Sequence, residues 1–225
     1  MIITCGPSHD ERLFNLELPQ PIPTSVDRSI FMRTLYLKSN KLINNDKIGI
    51  LVSGGVDSAI LYYLLLQENF NTGNKFEIIP YTMLRKEGSR YYAKDVINYV
   101  HDLHHLPHTD LNIIGDNTLP ETQQVESGIM DVLHKTVDYV YLGIIESREE
   151  HSVGWHRFPF KETFHRRYPL LNLQKSHVID LYIKTGMIEL LKMTHSCAVH
   201  EITPCNNCNG CIERIWGISE MNLDI

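Results

Sequence analysis

The chemistry-bearing residues of this chain fall into two groups. The first is Ser53-Gly54-Gly55-Val56-Asp57-Ser58, which follows the aliphatic run Lys47-Ile48-Gly49-Ile50-Leu51-Val52. A β-branched and aliphatic run of this length suits a central parallel strand buried on both faces. Paired glycines let the backbone approach a ligand closely, and Asp57 and Ser58 are expected to cap the helix that follows. Free N–H groups at that helix start, together with the helix dipole, make a site for an anion such as a polyphosphate. A Walker A loop carries a Lys after its last Gly; none stands here, so the expected cradle is of another type.

The second group is Cys197, Cys205, Cys208 and Cys211, four of the five cysteines, spaced Cys-x7-Cys-x2-Cys-x2-Cys. In a chain with no secretory signal such crowding reads as metal rather than disulfide. Four thiolates at short spacings suit tetrahedral Zn2+ and leave no open position for a water, so the expected role is structural. An iron–sulfur cluster is the alternative for the same donors. A catalytic thiol is disfavoured, since all four are needed as ligands.

Local pattern supplies the elements that would position these groups. Asp57 to about Asn69 is apolar nearly all round and reads as a buried helix. Phe76 to Leu84 reads as a second strand, with Pro80 confining its pairing on one side. Ser89 to about Leu103 places Tyr92, Val96, Tyr99, Val100 and Leu103 on one face of a helix. His101, His104, His105 and His108 on and after it could pair as metal ligands, but no carboxylate or Cys completes a set, so a solvated helix end is the preferred reading. A short strand at Leu111–Ile114 precedes a helix that Thr118 and Pro120 open and that runs to about Thr136, with Val125, Ile129, Val132 and Leu133 inward. Asp138 to Ile145 is the clearest later strand, and it runs into the charged segment Glu146 to Glu150, where open α/β sheets place their sites. The loop-like stretch His151 to Arg167, with Trp155, His156, Arg157, Phe158 and Phe160, suits either a planar heterocyclic carboxylate or inward-packed aromatics. Gly186 is expected to stop the helix ahead of it. Ahead of the loop, Leu18 to Pro23 must be extended, and Thr24 or Ser25 opens an expected helix to about Leu42.

The expected fold is therefore α/β, a doubly wound, mostly parallel sheet with a small C-terminal zinc segment. Residues 1–46 form an N-terminal extension, 47–194 the nucleotide-type domain, and 195–225 the cysteine segment and tail. Length, 43% hydrophobic content and 21% charge are ordinary for a folded chain of this size. The apolar stretch around Ala59–Leu66 is too short to span a bilayer, and the N-terminus lacks the basic and apolar regions of a signal peptide; a soluble cytoplasmic protein with no membrane partner is expected. A net charge of −6 argues against a large nucleic-acid partner, with His165-Arg166-Arg167 the one basic cluster, which a small anion would satisfy as well. The sequence leaves a homo-oligomer open.

The Ser-Gly-Gly-Val-Asp-Ser sextet resembles the PP-loop of the ATP pyrophosphatase superfamily, the adenine nucleotide alpha hydrolase-like fold. The resemblance implies an ATP site over Val52, Ser53, Gly54, Gly55, Val56, Asp57 and Ser58, with Asp57 near Mg2+. It also implies that Gly55→Ala abolishes ATP binding without unfolding the chain, and that backbone near Thr82 and Met83 meets the adenine. Tyr168-Pro169-Leu170-Leu171-Asn172-Leu173-Gln174-Lys175 is similar to a run in these enzymes whose Lys starts a helix facing the nucleotide. That implies a catalytic Lys175 that neutralises charge on departing pyrophosphate, with Ser176-His177 replacing the usual acidic position. Together with the Ser196-Cys197-x7-Cys205-x2-Cys208-x2-Cys211-x2-Arg214 terminus, the pattern over residues 47–216 resembles the 7-cyano-7-deazaguanine synthase family.

Members of that family adenylate 7-carboxy-7-deazaguanine, use ammonia to form the amide, and consume a second ATP to reach the nitrile. The resemblance thus implies ATP, Mg2+ and Zn2+ as cofactors and a heterocyclic carboxylate and ammonia as substrates. Forty-six residues ahead of the strand cannot hold a glutaminase domain, and Cys5 is not the N-terminal nucleophile of one, so ammonia is expected free or from another protein. The chain departs from the family in that extension, in having Glu126-Ser127-Gly128 where a Gly-Arg-Asn segment is usual, and in having Trp155-His156-Arg157 near the place of a Tyr-Pro-Asp-Cys loop. Two other readings remain open: a PP-loop tRNA-modifying enzyme of thiolase or lysidine-synthase type, and a nucleotide-binding subunit without chemistry.

Overall fold

Strand β3 (Lys47–Leu51) lies at the centre of a five-stranded sheet of order β5-β4-β3-β6-β7, flanked by β4 (Glu77–Met83) and β6 (Tyr139–Leu142), with β5 (Asn112–Ile114) and β7 (Arg166–Arg167) at the edges. All four ladders are parallel. The computed structural model describes residues 2–5, 33–36, 46–83, 90–116, 118–119, 121–146, 165–200 and 202–225.

The two-residue period of the strands sorts the core into two layers. Ile48 and Ile50 of β3, with Tyr139 and Tyr141 of β6, join a cluster with α1 (Val56–Asn71), α2 (Arg90–Leu103), α4 (Lys175–Thr185) and α5 (Ile188–Met193). Val140 and Leu142 turn to the other face, against Ile129 and Val132 of α3 (Glu121–Lys135). Helices on both faces of a parallel sheet are the doubly wound arrangement expected from the sequence. Helix α1 is apolar all round because it lies between the sheet and three other helices, α2, α4 and α5. A last helix, α6 (Asn209–Glu220), packs on α4.

The order also fixes where a site must sit. The chain leaves β3 toward β4 and β5, then returns to the opposite side of β3 for β6 and β7, so β3 and β6 diverge at a topological switch point. In open α/β sheets, ligands bind in the crevice outside the carboxyl ends of the strands at such a point. Here that crevice is walled by Val52–Gly55 and by Gly143–Glu146.

Pro80 behaves as its chemistry requires. The Tyr81 carbonyl accepts the Val52 N–H at 2.8 Å and so faces β3. Pro80 therefore faces the other way, and the β4–β5 ladder begins only at Tyr81, while the Pro80 carbonyl takes a bond from the Asn112 side-chain amide at 3.1 Å.

Several expectations change. The helix expected over about 24–42 is broken by β2 (Arg33–Tyr36), which pairs antiparallel with β1 (Ile2–Cys5); the rest of that span and Leu18–Pro23 lie outside the described residues. The inward face of α2 is Ala93, Val96, Ile97 and Val100, and Leu103 is exposed. His101 is buried rather than solvated: its Nδ1–H donates to the Pro107 carbonyl (2.7 Å), so its Nε2 accepts the Tyr62 hydroxyl proton (2.6 Å). His108 pairs with Asp102, and among the described residues the histidines gather no metal-type donor set. Burial, with His101 and His105 nearby, holds His104 below the usual imidazole range. His165-Arg166-Arg167 is a sheet edge and not an open anion site: Arg166 is clamped in two bonds by Glu126 (2.6 and 2.9 Å), Arg167 lies over the Tyr139 ring, and His165 bonds the Asp138 carbonyl. The segments Ser147–Glu150 and 151–164, with Trp155, His156 and Arg157, lie outside the described residues. Among those described, no helix is long and apolar enough to cross a membrane.

Candidate active site

Residues Val52–Ser58 form a turn wired to itself. The Ser53 N–H donates to Ser58 Oγ at 3.1 Å, the two hydroxyls lie 3.0 Å apart, and the Gly55 N–H donates to Ser53 Oγ at 3.3 Å. Ser58 Oγ also reaches the Gly55 carbonyl at 3.3 Å. Asp57 and Ser58 do not cap α1 as expected. Gly55 is the N-cap, and among the described residues no side-chain cap bonds the start of the helix. Ser58 is spent on holding the loop, which leaves the helix start open to an outside acceptor.

The two glycines differ. Gly54 has φ +82°, and a Cβ there would lie 2.6–2.7 Å from Tyr92 and the Ala93 nitrogen at the start of α2. Gly55 has φ −82°, open to any residue, and a Cβ would meet only Ser53 Oγ at 3.3 Å and the His195 carbonyl at 3.6 Å. Gly54→Ala is therefore expected to destabilise the protein by about 2–4 kcal/mol through left-handed strain plus backbone collision. Gly55→Ala should leave the stability within about 1 kcal/mol of wild type and act on ligand approach alone. Urea unfolding and ATP titration of both variants check this; equal stabilities would contradict it.

Lys175 is the first residue of α4, and its side chain is 5% exposed. Its Nζ bonds both Asp57 oxygens, at 2.6 and 2.7 Å, with Glu213 of α6 at 3.9 Å. The two residues expected to be catalytic thus meet across 118 positions of sequence. A carboxylate in the first turn of α1 suits the helix dipole but would repel a polyphosphate, and Lys175 cancels that charge where it matters. His177, standing at the usual acidic position, accepts the Gln174 N–H on Nδ1 (3.2 Å) in a capping box, so it does the acid's local work as a neutral base. The buried Tyr182 hydroxyl donates to the Val56 carbonyl at 2.6 Å and ties α4 to the loop; burial and the nearby Asp57 raise its pKa well above the usual range.

Three glycine or acidic positions that local pattern did not single out complete the site. Gly143, just past β6, lies against the first turn of α1, Gly217 brings α6 onto Lys175, and Glu213 joins the ion pair. At the carboxyl end of β4, Thr82 is buried and its Oγ1 has no hydrogen-bond partner among the described residues; Met83 packs beside Gly115.

The four expected thiols do come together. Their sulfurs lie within 4.8 Å of one another, with Cys197 and Cys211 buried. Sulfurs bound at about 2.3 Å to one tetrahedral ion stand about 3.8 Å apart, so this set fits a single ion. A four-iron cube holds its thiolates farther out. The N–H groups of Val199 and His200 point at Cys197 Sγ (3.5 and 3.3 Å) and that of Cys208 at Cys205 Sγ (3.3 Å), the arrangement that stabilises thiolate. Burial works to raise the Cys197 thiol, but bonds from the Cys205, His200 and Val199 N–H groups, with the Cys205 thiol, outweigh it and bring it down to about 5. Burial and its thiol neighbours push Cys211 up to about 12, so it stays a thiol until a bound cation would displace its proton. Arg214 bonds the Thr194 and Leu191 carbonyls (3.0 and 2.9 Å), fixing α6 to α5.

No family model and no curated protein matches the chain. Among solved structures, it is similar to the U34-tRNA thiolase NcsA from Methanococcus maripaludis with its [4Fe-4S] cluster, at 16% identity and TM-score 0.45, over 83% of this chain and 73% of that one. It is also similar to NAD+ synthetase from Burkholderia pseudomallei, at 13% identity and TM-score 0.38, over 76% of this chain and 66% of that one.

Proposed function

We propose that the chain is an ATP-dependent carbon–nitrogen ligase of PP-loop type that adenylates the carboxylate of a 7-deazapurine, 7-carboxy-7-deazaguanine, and converts it with ammonia to the amide and nitrile. The observation that carries the reading is the open helix start of the Val52–Ser58 loop at the switch point, with Lys175 buried on Asp57 beside it. The substrate carboxylate attacks the α-phosphorus of ATP and pyrophosphate leaves; ammonia then displaces AMP. A second adenylation, on the amide oxygen, lets AMP depart as the nitrile forms. Loop N–H groups and Lys175 would stabilise charge gathering on the leaving pyrophosphate, and holding carboxylate and nucleotide in line supplies the remainder.

Magnesium arriving with the triphosphate would take most of its ligands from phosphate and water. Lys175 uses two of about four lone-pair directions on Asp57, leaving Asp57 able to offer one more contact. The four thiols would hold Zn2+, whose contribution is to fix the C-terminal segment. Thr82 Oγ1 is a polar group available to the adenine edge.

The thiolase reading gains support from the Val56 of the loop, a residue common in that group. Against it stand the net charge of −6 and a cysteine set in which Cys5 is the one thiol outside the four that converge at the C-terminal site. AMP release and product mass with 7-carboxy-7-deazaguanine, ammonium and ATP test the proposal. Two AMP per nitrile is the expected result; AMP formation only with tRNA and a sulfur donor would overturn it in favour of the thiolase.

A further inference from the structure

The turn 195–200 touches both sites. At one end, the His195 backbone N–H donates to the Gly54 carbonyl at 2.9 Å. At the other, the His200 N–H rests 3.3 Å from Cys197 Sγ. The His195 ring joins the ends. Its Nε2–H donates to the His200 carbonyl at 2.7 Å, and its face stacks on Tyr92 at 4.4 Å with 10° between planes. Tyr92 is also the residue against which left-handed Gly54 is packed. Gly210, between two of the thiols, lies so close to the Ser196 carbonyl that no Cβ would fit, so the turn is pressed on the cluster from that side too.

A backbone bond to Gly54 lasts only as long as residue 195 is held in place, and a stacked, hydrogen-bonded ring is what holds it. A cation held by Cys197 would fix the turn through the His200 N–H on the same sulfur. We propose that His195 is a positioning residue that couples cation binding at the four thiols to anion binding at the phosphate loop. The inference rests on the phosphate-loop reading above. Coupling between two binding sites is reciprocal by thermodynamic necessity, so each ligand must tighten the other by one common factor. For a link of three contacts that factor is about 5–20-fold, within the usual range for coupled sites.

Full-length protein tests this with cobalt(II), whose thiolate charge-transfer absorption reports the cluster, and with magnesium pyrophosphate at the loop. Cobalt affinity is measured against a competing chelator with and without pyrophosphate. Pyrophosphate affinity is measured calorimetrically on loaded and stripped protein, with circular dichroism as a check on folding. The expected result is the same factor of about 5–20-fold in both directions. His195→Ala should reduce it to below about twofold while the cobalt spectrum stays unchanged, and His195→Gln, which restores a donor to the His200 carbonyl, should recover part of it. Equal pyrophosphate affinity in loaded and stripped wild type, or full coupling in His195→Ala, would overturn the proposal. If stripping unfolds the chain, cobalt-loaded His195→Ala decides alone: weaker pyrophosphate binding supports the coupling and wild-type binding overturns it. Loaded wild type that binds neither pyrophosphate nor ATP would reject the phosphate loop itself, whereas binding without coupling rejects only the role of His195.

Discussion

Replacing Lys175 with Met is expected to reduce AMP release by about 100-fold or more, the scale of losing one preorganised charge at a developing anion. The same change should cost about 2–4 kcal/mol of stability, because Asp57, with its side chain 22% exposed, keeps a charge that has lost its partner. The two effects separate in a double-mutant cycle. Asp57→Asn in the Lys175→Met background removes the stranded carboxylate, so stability should return toward wild type while turnover stays low. Because Asp57 is itself expected at the metal, turnover is read in folded Lys175→Met well below its melting temperature, where a Lys175 that merely stabilised the fold would give the wild-type rate. Wild-type AMP release from Lys175→Met would remove it from the chemistry altogether. Glu213 sharpens the experiment, since at 3.9 Å it shares the ammonium and is the carboxylate left facing the apolar side chain in the double variant.

Much of this site was legible in the sequence, for a physical reason. An aliphatic run, a glycine pair, a helix apolar on every side and thiols at ligand spacing are all local signals, and β3, the loop, α1 and the cluster followed them. What escaped was set by contacts between distant segments. Residues 33–36 form a strand because Ile2–Cys5 offers a partner, which no window around Leu35 contains. Helix α2 is turned toward Ala93 and Ile97 because its first turn must meet Gly54, so the larger residues Tyr92 and Leu103 are not its most buried ones. His101 is drawn inside by Tyr62 and Pro107, neither of which marks it as special in its own helix. The basic trio at 165–167 reads as an anion site until Glu126, 40 positions away from Arg166, is placed against it. Glu213 carries no signal of its own among the cysteines, and only the packing of α6 on α4 brings it to Lys175.

Gly143 is the second position where a single change should have a large effect. It stands just past β6, at the wall of the crevice, and a Cβ built there would lie 2.8 Å from the Ser58 nitrogen, 2.9 Å from the Asp57 carbonyl carbon and 3.0 Å from the Ser58 α-carbon. These are main-chain atoms of the first turn of α1, so no rotamer change can relieve the collision. Either β6 or the start of α1 must move, and both are held: β6 by its ladder to β3, and α1 by the Ser53–Ser58 bonds and by the Tyr182 hydroxyl on Val56. Gly143→Ala is accordingly expected to destabilise the protein by about 2–3 kcal/mol, a fall of roughly 5–10 °C in melting temperature for a chain of this size. The larger consequence falls on binding. A shift of the α1 start by a few tenths of an ångström displaces the N–H groups meant for phosphate and pulls Asp57 off Lys175, so ATP affinity should drop by about tenfold or more even where the protein stays folded. Calorimetric titration at a temperature well below the variant's melting point reads that loss apart from unfolding. Wild-type ATP affinity in a folded Gly143→Ala protein would show that the nucleotide does not rest on the first turn of α1, and the crevice between β3 and β6 would lose its claim to be the site.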